Sequence, residues 1–279
     1  MTKITSWSLA LFSLISFIPQ ALAEDVAKPT QLGLREAASP QMERITWFHD
    51  SLLMPIITII TIFVTALMIW VAIRYNAKAN PTPSKTTHHV GLEIAWTLLP
   101  VIILFAIAVP SFKMLYYLDR VEEPDMTLKV KGYQWYWQYQ YPDHGDLSFD
   151  SYMIPDDEID ESKGQKRLLS TDNVVVLPID TNIQILVTSA DVIHSFTIPA
   201  MGFKKDAVPG RTNETWVRID KPGTYYGQCS QICGINHAFM PIEIKAVTKE
   251  EFEQWLITAK EEFAANDNNR DVKIAMMNN

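Results

Sequence analysis

Both cysteines of this 279-residue chain fall in one twelve-residue stretch, Cys229-Ser-Gln-Ile-Cys233-Gly-Ile-Asn-His237-Ala-Phe-Met240. A second histidine, His194, lies 35 residues before Cys229, in Asp191-Val-Ile-His194-Ser-Phe. Thiolate, imidazole and thioether together select copper or zinc over hard cations. Four chemistries fit these residue types. A Cys229–Cys233 disulfide is one, but it leaves His237 and Met240 unexplained at their spacings. A structural zinc would take two Cys and two His and leave Met240 idle. A mononuclear blue-copper site would leave one thiolate over. Two copper ions with both sulfurs bridging would use every group, and such a pair carries electrons without acid–base chemistry.

The elements around these residues read as short strands. Thr127–Tyr141 (TLKVKGYQWYWQYQY) has an aromatic at every second position from 133 to 141, a strand signal that predicts Trp135 and Trp137 on one face. Further strands are expected over Val174–Leu177, Ile183–Thr188, Ser195–Ile198, Thr215–Ile219, Thr224–Tyr226 and Pro241–Val247. Pro142-Asp143, Pro209-Gly210 and Pro222-Gly223 punctuate them, and an all-β sandwich or small barrel follows. Asp156–Arg167 reads as a charged surface loop. In Lys249–Ala265, Phe252, Trp255, Leu256, Ala259 and Phe263 recur at helical spacing, which predicts an amphipathic helix on the sheet. The tail from Asn266 is polar and expected to fray.

Upstream the chain is apolar. Lys3, the stretch Trp7–Ile18 and Ala21-Leu22-Ala23 describe a signal peptide, with the mature chain starting near Glu24. Ser51–Ile73 and Ile94–Phe112 are 23 and 19 residues without a charge, each long enough to cross a bilayer. Pro55, Pro100 and Pro110 are tolerated in membrane helices. The loop between them carries Arg74, Lys78 and Lys85 and no acid, so it is expected on the cytoplasmic side. Both ends then lie outside, in agreement with the signal peptide.

Charge is divided the same way. The formal net charge is −8, but residues 1–111 hold seven basic and six acidic residues, whereas residues 112–279 hold 17 and 26. An external half at net −9 argues against a nucleic-acid partner and suits a basic protein partner, steered by opposite charge.

Taken together, the two-helix hairpin, Gln134-Trp-Tyr-Trp137, Asp191-Val-Ile-His194-Ser, Asp206-Ala-Val-Pro-Gly-Arg211 and Tyr226-Gly-Gln-Cys229 through Met240-Pro241 resemble subunit II of the haem–copper cytochrome c oxidases. The resemblance covers essentially the whole mature chain. It implies a transmembrane hairpin (49–118) followed by an all-β, cupredoxin-like Greek-key barrel with a C-terminal amphipathic helix (119–265). Residues 1–23, 24–48 and 266–279 would be the signal peptide, an external N-terminal segment and the tail. It further implies two copper ions, the CuA centre, on His194, Cys229, Cys233, His237, Met240 and the backbone carbonyl of Gln231. Electrons from cytochrome c would enter at Trp135 and pass to haem a of subunit I, which with haem a3 and CuB reduces oxygen and pumps protons. Subunit III and membrane lipid would be further partners. Tyr136, Asp146, Asp150 and Asp191 correspond to docking residues, and Glu93 to a proton-channel entrance; as an isolated residue Glu93 reads simply as an interfacial carboxylate.

Two positions depart from the family pattern. Gln140 stands where a Glu is frequent, which slightly weakens the acidic patch. Gln231 replaces a Glu that helps bind magnesium at the subunit I boundary; an amide oxygen is a weaker ligand for a hard cation, so magnesium should be weak or absent there. If Trp135 receives electrons at the surface, its strand must twist or bulge, against strict alternation. A quinol oxidase subunit II would lack the copper ligands. A membrane-anchored copper chaperone, the main alternative, would have one anchor and alternating strands and helices. No C-x-x-C-H occurs, so a fused haem c is not expected. The signal peptide points to a bacterial inner membrane with the domain in the periplasm; the mitochondrial inner membrane, with the domain in the intermembrane space, is the alternative.

Overall fold

The computed structural model describes residues 23–119 and 123–277. Apart from Ala23, the expected signal peptide lies outside the described residues. The first helix, α1 (Pro40–Arg74), is longer than the apolar run. Ser39 caps it: its Oγ accepts the Met42 amide at 3.1 Å, and Pro40 occupies the first turn, where a missing N–H costs nothing. The helix widens into one π-type stretch at Phe48–Leu53, then continues as Met54–Arg74. That last part, 21 residues, spans about 31 Å, close to the bilayer hydrocarbon thickness. None of its residues is buried. The second helix, α2 (Val90–Asp119), runs 30 residues through Pro100 and Pro110 and likewise buries nothing. Two helices apolar on every side are membrane-spanning helices, and the β domain sits on one side of them.

Among the described residues eleven strands, β1 before the helices and ten after them, form two larger sheets and a ribbon. One sheet runs β4-β3-β2-β6-β9, built from β2 (Met126–Tyr133), β3 (Tyr136–Tyr141), β4 (Leu147–Ser151), β6 (Ile183–Ser189) and β9 (Asn213–Val217). The other runs β1-β10-β11-β5, from β1 (Ala23–Glu24), β10 (Gly223–Gln228), β11 (Pro241–Val247) and β5 (Val175–Pro178). β7 (His194–Ile198) and β8 (Phe203–Ala207) form the ribbon. The fully buried Leu128, Trp137, Tyr139, Tyr141, Ile185, Phe196 and Ile198 fill the space between, giving a cupredoxin-like β domain.

The single strand expected over 127–141 is instead an antiparallel hairpin that reverses at Gln134–Trp135, across a cis peptide. Directly paired residues share a face of a sheet. Tyr133 opposes Tyr136 and the two rings stack at 4.7 Å, while Gly132 opposes Trp137. The aromatic run is thereby divided. Trp137, Tyr139 and Tyr141 enter the core, Tyr133 faces outward, and Trp135 sits in the turn, half-buried.

The C-terminal helix, α3 (Lys249–Met277), packs Phe252, Leu256 and Ala259 onto the sheets, and Phe263 stacks on Phe149 at 4.5 Å. It continues through the tail expected to fray, since no Gly or Pro occurs after Gly234 and Pro241 to stop it. Hairpin and β domain are joined by Trp216, whose Nε1–H donates to the Tyr117 carbonyl at 2.8 Å, and by Thr215, whose hydroxyl donates to the Leu118 carbonyl. Ser39 adds a hydrogen bond to the Met201 carbonyl at 2.8 Å.

Candidate metal centre

The loop between β10 and β11 brings both cysteines under the end of β7. The Cys229 amide donates to the Met240 carbonyl at 3.0 Å and the Ser230 amide to the Ser195 carbonyl, closing the loop against β7. β10 approaches β7 so closely that a Cβ at Gly227 would lie 2.0 Å from the Thr197 carbonyl oxygen. Glycine is required there by contact, independent of its backbone angles.

Within this frame the sulfurs of Cys229 and Cys233 are 3.8 Å apart, both buried and not bonded to each other. Each has its own imidazole: His194 Nδ1 lies 3.8 Å from Cys229 Sγ and His237 Nδ1 lies 3.6 Å from Cys233 Sγ. The ligand atoms of His194, Cys229 and Cys233 fall within 4.8 Å of one another, and His237 flanks that group without joining it. Met240 is buried beneath, and the Gln231 carbonyl is 3.3 Å from Cys229 Sγ while its side chain faces solvent. Soft donors gathered this way fit a thiolate-loving metal. Burial opposes ionisation of both thiols. At Cys229 it is outweighed by hydrogen bonds from His194 and the backbone, which hold that thiol below its usual value. At Cys233 burial and the charge on Cys229 act together and push it up.

His194 is fully enclosed. Trp137 meets it edge-on at 5.9 Å, and a Cβ at Gly132 would come within 2.8 Å of its ring, so only glycine leaves it room. Asp191 fixes its orientation, with Oδ1 at 2.9 Å from Nε2. The other oxygen, Oδ2, accepts the Gln134 amide at 2.7 Å. Burial would raise the Asp191 carboxyl, but these bonds and the Val192 amide outweigh it and lower its pKa. Asp191 is therefore occupied internally, although it carries a docking expectation. Gln134, not among the residues expected at the site, donates from Nε2 to the Cys233 carbonyl at 2.7 Å, and Trp135 donates from its indole Nε1 to the same oxygen at 3.2 Å. A strand turn next to the ligand loop was the missing signal.

The remaining predicted residues lie apart from the sulfurs. Tyr136 stacks between Tyr133 and Tyr152, and burial, then the Asp150 charge, raise its hydroxyl pKa. Asp150 accepts from Gln138 at 3.0 Å, and the exposed Asp146 accepts from Gln140 at 3.1 Å. Around the ligand loop Ile232 and Ile235 are 77 % and 85 % exposed, with Phe239 and Ile193 beside them. Glu93 is at the opposite end of the molecule, in the first turn of α2, where its carboxylate accepts the His89 amide at 3.4 Å as a helix cap does.

Sequence comparison places these features in context. Residues 126–247 match the profile described as cytochrome C oxidase subunit II, periplasmic domain, and residues 27–114 match its transmembrane domain. A protein named probable cytochrome c oxidase subunit 2 from Rickettsia bellii is 50 % identical over 266 residues, covering 95 % of each chain. Cytochrome c oxidase subunit 2 of Branchiostoma floridae is 48 % identical, over 82 % of this chain and 96 % of its own. The crystal structure of the periplasmic domain of subunit II of cytochrome oxidase from Bradyrhizobium japonicum is 50 % identical over 52 % of this chain and 99 % of its own, with a TM-score of 0.48.

Proposed function

Since the chain belongs to the cytochrome c oxidase subunit II family, a subunit of the haem–copper oxidases, we propose that its β domain takes electrons from cytochrome c and passes them to haem a of subunit I. The observation that carries this reading is the pair of sulfurs 3.8 Å apart, each with a separate imidazole nitrogen beside it. A single tetrahedral zinc would draw all four groups round one point, and His237 stands outside the group of three. Two copper ions would be held by His194, Cys229, Cys233, His237, Met240 and the Gln231 carbonyl. When bound, they supply a one-electron carrier whose geometry changes little on oxidation.

The chain's own residues prepare this site. Asp191 accepts a hydrogen bond from Nε2–H of His194; with copper in place of the Nδ1 contact to Cys229, Nδ1 would offer its lone pair to the metal. Trp137, itself packed edge-on against Phe196, shields the ring from water. Trp135 reaches from a half-exposed turn to the carbonyl of a ligating cysteine, a short route from surface to metal. Tyr136, Asp146 and Asp150 form the acidic and aromatic rim, with Asp191 at its edge. The exposed Ile232, Ile235 and Phe239 add an apolar centre. An external half at net −9 steers a basic cytochrome c to this face.

Subunit I, carrying haem a, haem a3 and CuB, reduces oxygen and pumps protons, and subunit III is a further partner. Glu93 opens a proton path into subunit I. Gln231 offers the boundary a neutral oxygen, so magnesium binds there weakly or not at all. A signal peptide over residues 1–23 directs the domain to the periplasmic side of a bacterial inner membrane.

The experiment is reduction of the assembled oxidase by cytochrome c, followed by stopped flow. Trp135→Ala slows electron transfer far more than it weakens binding, and the association rate falls as ionic strength rises. An unchanged transfer rate in Trp135→Ala would remove the tryptophan from the route.

A further inference from the structure

On the flank of the helical hairpin, just below the β domain, Arg44, Trp47, Phe48, Pro110, Lys113 and Met114 line a cleft of about 300 Å³. Its depth in the membrane follows from the sequence. The charge-free run of α1 begins at Ser51 and that of α2 ends at Phe112, so the cleft straddles the edge of the hydrocarbon layer. Two cations stand at its rim. Arg44 is held in place with its guanidinium 3.6 Å over the Tyr117 ring, and Tyr117 in turn packs edge-on against Trp216 at 5.3 Å. Lys113 is exposed on the neighbouring helix. Neither forms an ion pair among the described residues. The nearest acid in sequence on the membrane side, Asp50, is engaged with His49 at 2.6 Å. Below the cations the walls are apolar, and Trp47, 60 % exposed, has the amphipathic ring favoured at headgroup level.

We propose that this cleft binds one anionic phospholipid of the leaflet facing the β domain. The phosphodiester lies between Arg44 and Lys113, and an acyl chain runs down over Phe48, Pro110 and Met114. Two cations without an ion pair among the described residues select a net negative headgroup. The apolar wall and the position at the hydrocarbon edge select a lipid over a soluble phosphate. Because Tyr117 and Trp216 brace Arg44, the lipid also steadies the junction between the hairpin and the β domain.

The test uses the complete oxidase in nanodiscs containing phosphatidylglycerol with a photoactivatable acyl chain, and maps the labelled peptides by mass spectrometry. Label is expected on the segments 44–48 and 110–114. Unlabelled phosphatidylglycerol competes it away, whereas phosphatidylcholine and soluble glycerol phosphate do not. Each lost cation should weaken binding about fivefold, so Arg44→Gln with Lys113→Gln lowers labelling about 25-fold, and Arg44→Lys with Lys113→Arg retains it. Unchanged haem absorption shows that the variants still assemble; if they do not, the wild-type competition decides. Equal competition by phosphatidylcholine or glycerol phosphate, labelling indifferent to the substitutions, or the two segments found cross-linked to another subunit instead of lipid would overturn the proposal.

Discussion

The Asp191 carboxylate stands 2.9 Å from Nε2 of His194, three residues along the chain, and through its second oxygen it also holds the amide of Gln134. One acid thus ties the orientation of a metal-ligating imidazole to the turn that carries Trp135. Asp191→Ala frees both at once. Losses of this kind of supporting contact cost about 10–100-fold in metal affinity. Competition for copper against a chelator should show a drop of that order. Asp191→Asn should fall between, because its amide can still accept from His194 but presents a donor to the Gln134 amide. Unchanged affinity in the alanine variant would separate Asp191 from the site.

Gly132 faces His194 across a gap that a methyl group would close to 2.8 Å. The imidazole cannot swing away, being enclosed and tied to Asp191. Gly132→Ala should therefore destabilise the β domain by about 1–3 kcal/mol, the usual cost of overpacking, and weaken copper binding as well. Thermal unfolding and copper titration of the same protein check the two effects. Loss of stability with copper affinity intact would show that the ring relocates freely.

Glu243 on β11 is half-buried and accepts the Thr171 amide at 2.8 Å. Burial raises its carboxyl pKa, more than the bonds from Thr171 and Ser170 lower it. A raised acid binds its proton more tightly in the folded state, so stability declines as pH rises above the unfolded value near 4.5. Glu243→Gln removes that decline. Its melting temperature relative to wild type should gain as pH rises through about 4.5 and level off once the folded-state carboxyl has ionised too. A difference that does not vary with pH would rule out this carboxyl as the cause.

Much of this molecule was legible in its residues, for physical reasons that differ by element. Soft ligands are rare enough that Cys229, Cys233, His237 and Met240 stand out by type and spacing, and apolar runs of 23 and 19 residues have few alternative readings. The hairpin at Gln134–Trp135 was hidden because aromatic alternation continues unbroken through a turn that contains neither glycine nor proline. β8 was missed because Phe203 and Ala207 are buried only at its ends, with Lys204, Lys205 and Asp206 between them. β4 was missed too, although Leu147, Phe149 and Ser151 alternate inward as a strand should. The internal use of Asp191 has no pattern at all: an acid three residues before a histidine is commonplace, and only the folded geometry brings it to Nε2.

The central claim is that the two sulfurs and two imidazoles hold a pair of copper ions. The direct measurement is the EPR spectrum of the full chain loaded with copper, together with its copper-to-protein ratio. Two coppers per chain and a hyperfine pattern from one unpaired electron shared by two copper nuclei, abolished in Cys229→Ser, are expected. A mononuclear copper signal, or a silent site that retains a single zinc, would contradict it.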